Sequence, residues 1–228
     1  MPEIGYAIDL STFSLMKLKH NIENTRTLPS QQILQEDLDE RFACLEQHGI
    51  ENLQQLQTVL KTKTEVQSFA QETGLPVDYL TILRREVNSY QPKPIQLKDF
   101  PGVKPEVIQK LDRIGIKQTR QLFPHVLTRE DRCAFAEENQ IADDDLLELT
   151  RLTDIARLKW VGPKFARLLI ESPYDTVEKI ANSDYEALYL ALAEVNDGKE
   201  IYKGNIGEED LKNWVNVVVQ DVPQVIQY

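Results

Sequence analysis

Few residues in this chain of 228 are of a type and spacing that could carry chemistry. The three histidines, His20, His48 and His125, are scattered, and metal ligation is expected of none. Residues 142–145 read ADDD, a run that invites a cation. It stands directly before an apolar helix, where carboxylates complement the helix dipole, and that is its expected use. Cys44 and Cys133 lie far apart without a CxxC spacing and read as reduced thiols of a cytoplasmic protein. No GxSxG, HExxH or P-loop pattern occurs. Neither a cofactor nor a catalytic role is expected.

What remains is the chemistry of two tight turns, FPGVKP at residues 100–105 and KWVGPK at residues 159–164. Glycine admits φ > 0 and close backbone approach. The chain then enters a helix whose first amides lack partners and whose dipole attracts an anion. Successive amides in such a turn can cradle a phosphate. Pro105 and Pro163 suit the first helical turn, where a missing N–H costs nothing.

Charge follows the turns. The whole chain is acidic, net −11, which argues against a generic nucleic-acid binder. Yet residues 84–132 carry 11 basic and 6 acidic side chains, and residues 151–167 carry 5 and 1. Screening over about 8 Å makes the local sign the one a partner meets. The candidate nucleic-acid contacts are therefore Gly102, Val103 and Lys104 of the first turn, with Lys98 and Lys110 beside them. In the second they are Lys159, Trp160, Gly162, Lys164 and Arg167. The plainer alternative is architectural, with glycine ending a helix and the basic residues forming a solvated face.

Helices must position these turns. With 41% hydrophobic and 28% charged residues, the composition is that of an ordinary globular protein of one or two domains. No run of eighteen apolar residues suggests a membrane span, and the N-terminal residues lack a signal-peptide pattern. Leu38, Phe42 and Leu45 recur at helical spacing, with Gly49 as a stop. Capping boxes are expected at Thr62 with Glu65, Asp145 with Glu148, Asp175 with Glu178, and Ser183 with Glu186. Tyr185, Tyr189, Leu188 and Leu192 share one helix face, which reads as core. The valines of residues 213–228 would suit a strand, but Gly207 and the acidic run after it predict a helix from Glu208. Pro92 and Pro94 mark residues 89–96 as a linker.

The chain also repeats itself. A shift of 66 residues superposes Leu45 on Leu111, Gly49 on Gly115, Ile50 on Ile116, Phe69 on Phe135 and Leu80 on Leu146 without a gap. A further shift of 58 places Val103 on Val161, Pro105 on Pro163 and Leu111 on Leu169. Two longer helical units and a final partial one are predicted.

The two turns resemble the helix-hairpin-helix motif, in which an apolar residue and proline precede Gly-Val-Gly. Each keeps one glycine of the pair: Gly102 with Lys104 in one copy, Trp160 with Gly162 in the other. Trp160 at a glycine position either fills the gap between helices or stacks on a base or a partner. The resemblance implies a grip on DNA backbone without base reading, and some such proteins hold a cation on hairpin carbonyls. Some DNA glycosylases add a catalytic aspartate downstream. Asp175 follows Gly162 by thirteen residues, short of that family's spacing, and no base-recognition domain precedes it.

The stretches LKDFPGVKP…KLDRIGIKQTRQLF and LLELTRLTDIARLKWVGPKFARLLIES…DTVEKIA resemble a family known as domain of unknown function 4332. The likeness spans roughly residues 95–185, and 38–90 through the internal repeat. It implies a fold of helix-hairpin-helix-like repeats and no established activity. The expected protein is all-α, with tandem helix-hairpin-helix-like units of short helices. A helical domain at 1–90 precedes one at 91–228 that holds motifs at 97–123 and 155–181. The expected function is non-catalytic binding of a macromolecule, by sequence-independent contact with DNA or RNA backbone. The alternative is a protein-protein interaction scaffold without nucleic-acid binding, whose acidic flanks, 133–150 and 168–228, meet a basic partner. No membrane partner is expected.

Overall fold

The structure is a computed structural model that describes residues 5–25 and 29–228. Among these residues every regular element is helical, apart from two isolated bridges. No helix among them is long and apolar enough to cross a membrane. The chain divides into two compact units, one of residues 8–91 and one of residues 5–7 with 92–228.

The first unit contains α1 (Leu15–Asn24), α2 (Leu38–Gln47), α3 (Leu53–Val59), α4 (Lys63–Thr73) and α5 (Val77–Ser89). Their apolar stripes meet in one core, which buries Phe42, Leu45, Leu56, Phe69, Leu80 and Leu83. Helix α2 ends where predicted. His48 is its C-cap, Gly49 has φ +78°, and the Ile50 amide donates to the Leu45 carbonyl at 3.1 Å. Cys44 and His48, one turn apart on α2, approach to 3.8 Å, a pair the sequence reading passed over.

The second unit contains α6 (Pro105–Arg113), α7 (Thr119–Leu122), α8 (Arg129–Glu138), α9 (Asp143–Ile155) and α10 (Pro163–Ile170). Then come α11 (Val177–Ala181), α12 (Tyr185–Lys199) and α13 (Glu208–Asn213). The predicted helix from Glu208 is present and runs on as a π turn over Trp214–Val218. Val215, Val218 and Val219 are buried there, so the β-branched run packs a helical segment instead of pairing as a strand. Leu188 and Leu192 of α12 are fully buried, and Tyr185 and Tyr189 pack partly buried against the same core.

The 66-residue recurrence has a backbone counterpart. Helix α9 starts and ends where a shift of α5 places it, and α3 and α7 start in register, as do α4 and α8. Gly49 and Gly115 take φ of +78° and +83°, and Gly74 and Gln140 take +76° and +55°. Asn52 caps α3 in a reciprocal box closed by Gln55, and at α7 the Gln121 side chain likewise accepts from the amide of the N-cap residue Gln118 at 3.0 Å. Each cap also bridges an upstream residue, Ser14 and Gln96 respectively.

Of the four expected capping boxes, Thr62 with Glu65 forms in full. The other three are displaced. Thr176 caps α11, leaving Asp175 to pair with Arg151 and Lys179. Asp184 caps α12, because Ser183 turns back to donate to the Ile180 carbonyl at 2.7 Å. Asp145 lies inside α9, whose N-cap position is Ala142, and it pairs with Lys104.

Candidate binding site

The second turn begins where α9 stops. The Leu158 amide donates to the Ile155 carbonyl at 3.0 Å, and the Val161 amide to the Leu158 carbonyl at 3.2 Å. Between them the chain must reverse, and Trp160 takes φ +71°. That is the position of Gly102, at φ +83°, in the first turn. Left-handed backbone costs an ordinary L-residue roughly 1–2 kcal/mol. A bulky aromatic there is a true outlier. The indole is also 56% exposed, so it does not fill a gap between helices.

The residues around Trp160 hold the turn firmly. Val161 is buried, Gly162 is the N-cap of α10, and Pro163 occupies its first turn. The carbonyl of Lys159 accepts a hydrogen bond from the indole Nε1 of Trp214 at 3.0 Å. The Lys159 ammonium lies 4.5 Å from the Trp160 ring centroid, within cation–π range.

Beside the exposed indole is an open groove of about 190 Å³. Trp160, Phe165, Tyr202, Ile206, Asp210 and Trp214 line it. The Phe165 ring sits 5.2 Å from Tyr202 and 5.9 Å from Trp214, both tilted, so the aromatic wall is continuous. Of these six, only Trp160 was among the sequence candidates. The others come from α10 and from residues 202–214, over forty positions beyond the turn. For Phe165, Tyr202 and Trp214 aromatic character was the only available signal, and nothing in the sequence ties residues 202–214 to Trp160.

The first turn is arranged differently. Gly102 is exposed, but a Cβ on it would start 3.3 Å from the guanidinium carbon of Arg167. The close approach that glycine permits is thus made by an internal side chain. Arg167 itself is only 6% exposed and is neutralised by Glu148 at 2.6 Å and Glu171 at 3.2 Å. Lys199 also bonds Glu171, and with Arg167 it holds that carboxyl below its ordinary pKa. Lys104 pairs with Asp145 at 2.8 Å, which raises the lysine's pKa. Lys110 donates to the Gln140 carbonyl. Val103 is partly buried, while Lys98 and Lys164 are exposed. Around Gly162 the backbone is open: a Cβ there would meet nothing within 4 Å.

A larger cleft of about 320 Å³ lies near Arg129, Arg132, Cys133 and Arg151. Asp143 and Asp144 line it too, Arg132 donates to the Val126 and Gln227 carbonyls, and Arg151 pairs with Asp175. Arg132 and Arg151 are thus already answered within the fold.

No curated protein and no solved structure shows a significant match to the chain. Residues 101–218, which hold α6 to α13 and the whole groove, match the family described as Domain of unknown function (DUF4332), and the chain belongs to that family.

Proposed function

We propose that this is a non-catalytic binding protein built from helix-hairpin-helix-like repeats and used as a protein-interaction scaffold, with the Trp160 turn as its contact point. One observation carries the reading. Trp160 holds an exposed indole in left-handed backbone, beside an aromatic groove, at the position where the other turn has glycine. Strain of this kind persists where surrounding structure imposes it, and it concentrates at functional sites. Exposed aromatic anchors are typical of protein contacts. The helix-hairpin-helix likeness is supported by the paired turns with positive φ and by proline opening both α6 and α10.

The pairing of Arg167, Lys104 and Lys110 within the fold speaks against the first turn as a phosphate grip. A second reading rests on the open backbone at Gly162 and on exposed Lys164: sequence-independent contact of the α10 N-terminus with nucleic-acid backbone.

Two measurements separate these readings. Fluorescence anisotropy would follow labelled duplex, single-stranded and junction DNA, and RNA, at two salt concentrations. In parallel, immobilised wild-type protein, Trp160→Gly and Lys164→Glu would be compared for retention of one purified protein partner. The scaffold reading predicts retention lost only in Trp160→Gly, with no salt-sensitive nucleic-acid binding. Micromolar binding of nucleic acid that weakens with salt and vanishes in Lys164→Glu would overturn it.

A further inference from the structure

Among the described residues four arginines are buried: Arg41, Arg132, Arg157 and Arg167. Three of them meet a carboxylate. Arg41 has Glu36 and Asp37, Arg157 has Asp154, and Arg167 has Glu148 and Glu171. Arg132, only 7% exposed, has no carboxylate partner among the described residues. The carbonyls that answer it, those of Val126 and Gln227, both take Nη1 and bring no formal charge. The Tyr228 ring, 5.7 Å away, adds attraction without neutralising it. Nε and Nη2 have no partner among the described residues, and neither is sealed in the interior as Nε of Arg167 is. That edge of a guanidinium is the fork that meets a carboxylate with two parallel bonds. A buried charge is unfavourable until it is paired.

Arg132 lines the cleft of about 320 Å³, a volume within the roughly 300–1,000 Å³ of small-molecule sites. Other groups in the lining are unpaired as well. The Arg129 side chain, one turn before Cys133 on α8, has no hydrogen bond or ion pair among the described residues. The same holds for the carboxylates of Asp143 and Asp144 in the first turn of α9. Leu146, Leu147 and the Tyr228 ring add apolar lining.

These groups select by charge. An uncharged ligand leaves Arg132 without a counter-ion. Phosphate or sulfate would answer the guanidinium but bring further negative charge to Asp143 and Asp144. A molecule with one carboxylate and one ammonium answers both. We infer that this cleft binds a small zwitterion of the amino-acid class. Its carboxylate sits on Arg132 and Arg129, its ammonium lies toward Asp143 and Asp144, and its apolar side chain packs on the leucines and the tyrosine ring. The site is separate from the Trp160 turn and does not depend on the reading of that turn.

Cys133 reports on the cleft, because it lines it and is exposed. Cys44, the other cysteine, belongs to the first unit and serves as the internal control. Alkylation of each thiol by iodoacetamide, read by peptide mass spectrometry, would be timed with added L-phenylalanine, 3-phenylpropionate, phenethylamine or inorganic phosphate. 3-Phenylpropionate lacks the ammonium and phenethylamine lacks the carboxylate. Phenylalanine is expected to slow Cys133 alkylation saturably, at millimolar concentration and at least about threefold, with Cys44 unchanged. The two truncated analogues should each need at least about tenfold higher concentration, and phosphate should not protect. Arg132→Gln should abolish protection. Arg129→Gln and Asp144→Asn, both at exposed positions where folding is not at stake, should each weaken it at least about threefold. Trp160→Gly should leave it unchanged.

Equal protection by 3-phenylpropionate or by phosphate would overturn the zwitterion assignment. So would full protection in Arg129→Gln, or no protection by either phenylalanine or leucine up to about 50 mM.

Discussion

The guanidinium of Arg167 lies against Gly102, 3.3 Å from where a side chain on that glycine would begin. The relationship separates two turns that look alike in sequence. In the first, positive φ and the missing Cβ make room for an arginine held by Glu148 and Glu171. In the second, the same backbone conformation carries a tryptophan toward solvent.

Opposite stability effects follow. Gly102→Ala forces a side chain into left-handed backbone and into Arg167, and should cost roughly 1–2 kcal/mol. Trp160→Gly relieves the same backbone strain and removes a half-exposed ring. It should be neutral or stabilising by up to about 1 kcal/mol. Urea unfolding curves of the two variants check this. A Trp160→Gly protein clearly less stable than wild type would mean the indole is kept for folding.

Inside the second unit, Arg157 and Asp154 form a fully buried ion pair. The arginine also donates to the Gly5 carbonyl at 2.7 Å and the Pro223 carbonyl at 3.0 Å, and the Tyr228 hydroxyl donates to Asp154 at 2.9 Å. Arg157→Ala strands a buried carboxylate and two carbonyls, and should cost about 3–5 kcal/mol. The double variant Asp154→Asn with Arg157→Met should lose less than the sum of the single losses, as a double-mutant cycle in urea would show.

Glu171 gives a pH dependence with a definite sign. Its carboxyl is hydrogen-bonded by Lys199 and then by Arg167, so its pKa in the folded protein lies below the ordinary 4.5. A depressed carboxyl contributes stability above its unfolded pKa and loses it as pH falls through the folded value. The stability of the unit should therefore drop below pH 4.5, and Glu171→Gln should make that drop shallower. Thermal melts of both proteins from pH 6 down to about pH 3 measure it.

The recurrence predicts a stabilising substitution. Gln140 holds φ +55° where Gly74 holds +76° in the earlier copy. Gln140→Gly should stabilise by about 0.5–1 kcal/mol, and Gly74→Ala should destabilise by a similar amount. Lys110 bonds only the backbone carbonyl of Gln140, so that contact survives the change. Equal loss in both variants would mean the two turns are not equivalent.

What the sequence revealed depended on whether the signal was local. Gly49 and Gly115 announced their turns because glycine is the default for positive φ. Gln140 and Trp160 adopt that conformation too, but their residue types give no hint of it. The box of Thr62 with Glu65 was legible. Those closed by Gln55 and Asp131 were missed, because an amide and a shorter acid perform the same reciprocal bonding. The burial of Arg167 was not legible at all. Glu148 lies on α9, and only the packing of α10 against it reveals the pair. The groove has the same origin, since Trp160 and Phe165 meet Tyr202 and Trp214 through the tertiary fold alone.

The most direct test of the account is a photo-crosslinking aromatic amino acid placed at position 160 in one protein and at position 104 in another, with both expressed in living cells. If recognition runs through the second turn, position 160 should give a discrete, nuclease-resistant protein adduct and position 104 none. A nucleic-acid adduct at position 104, or no adduct at position 160 under the same illumination, would contradict it.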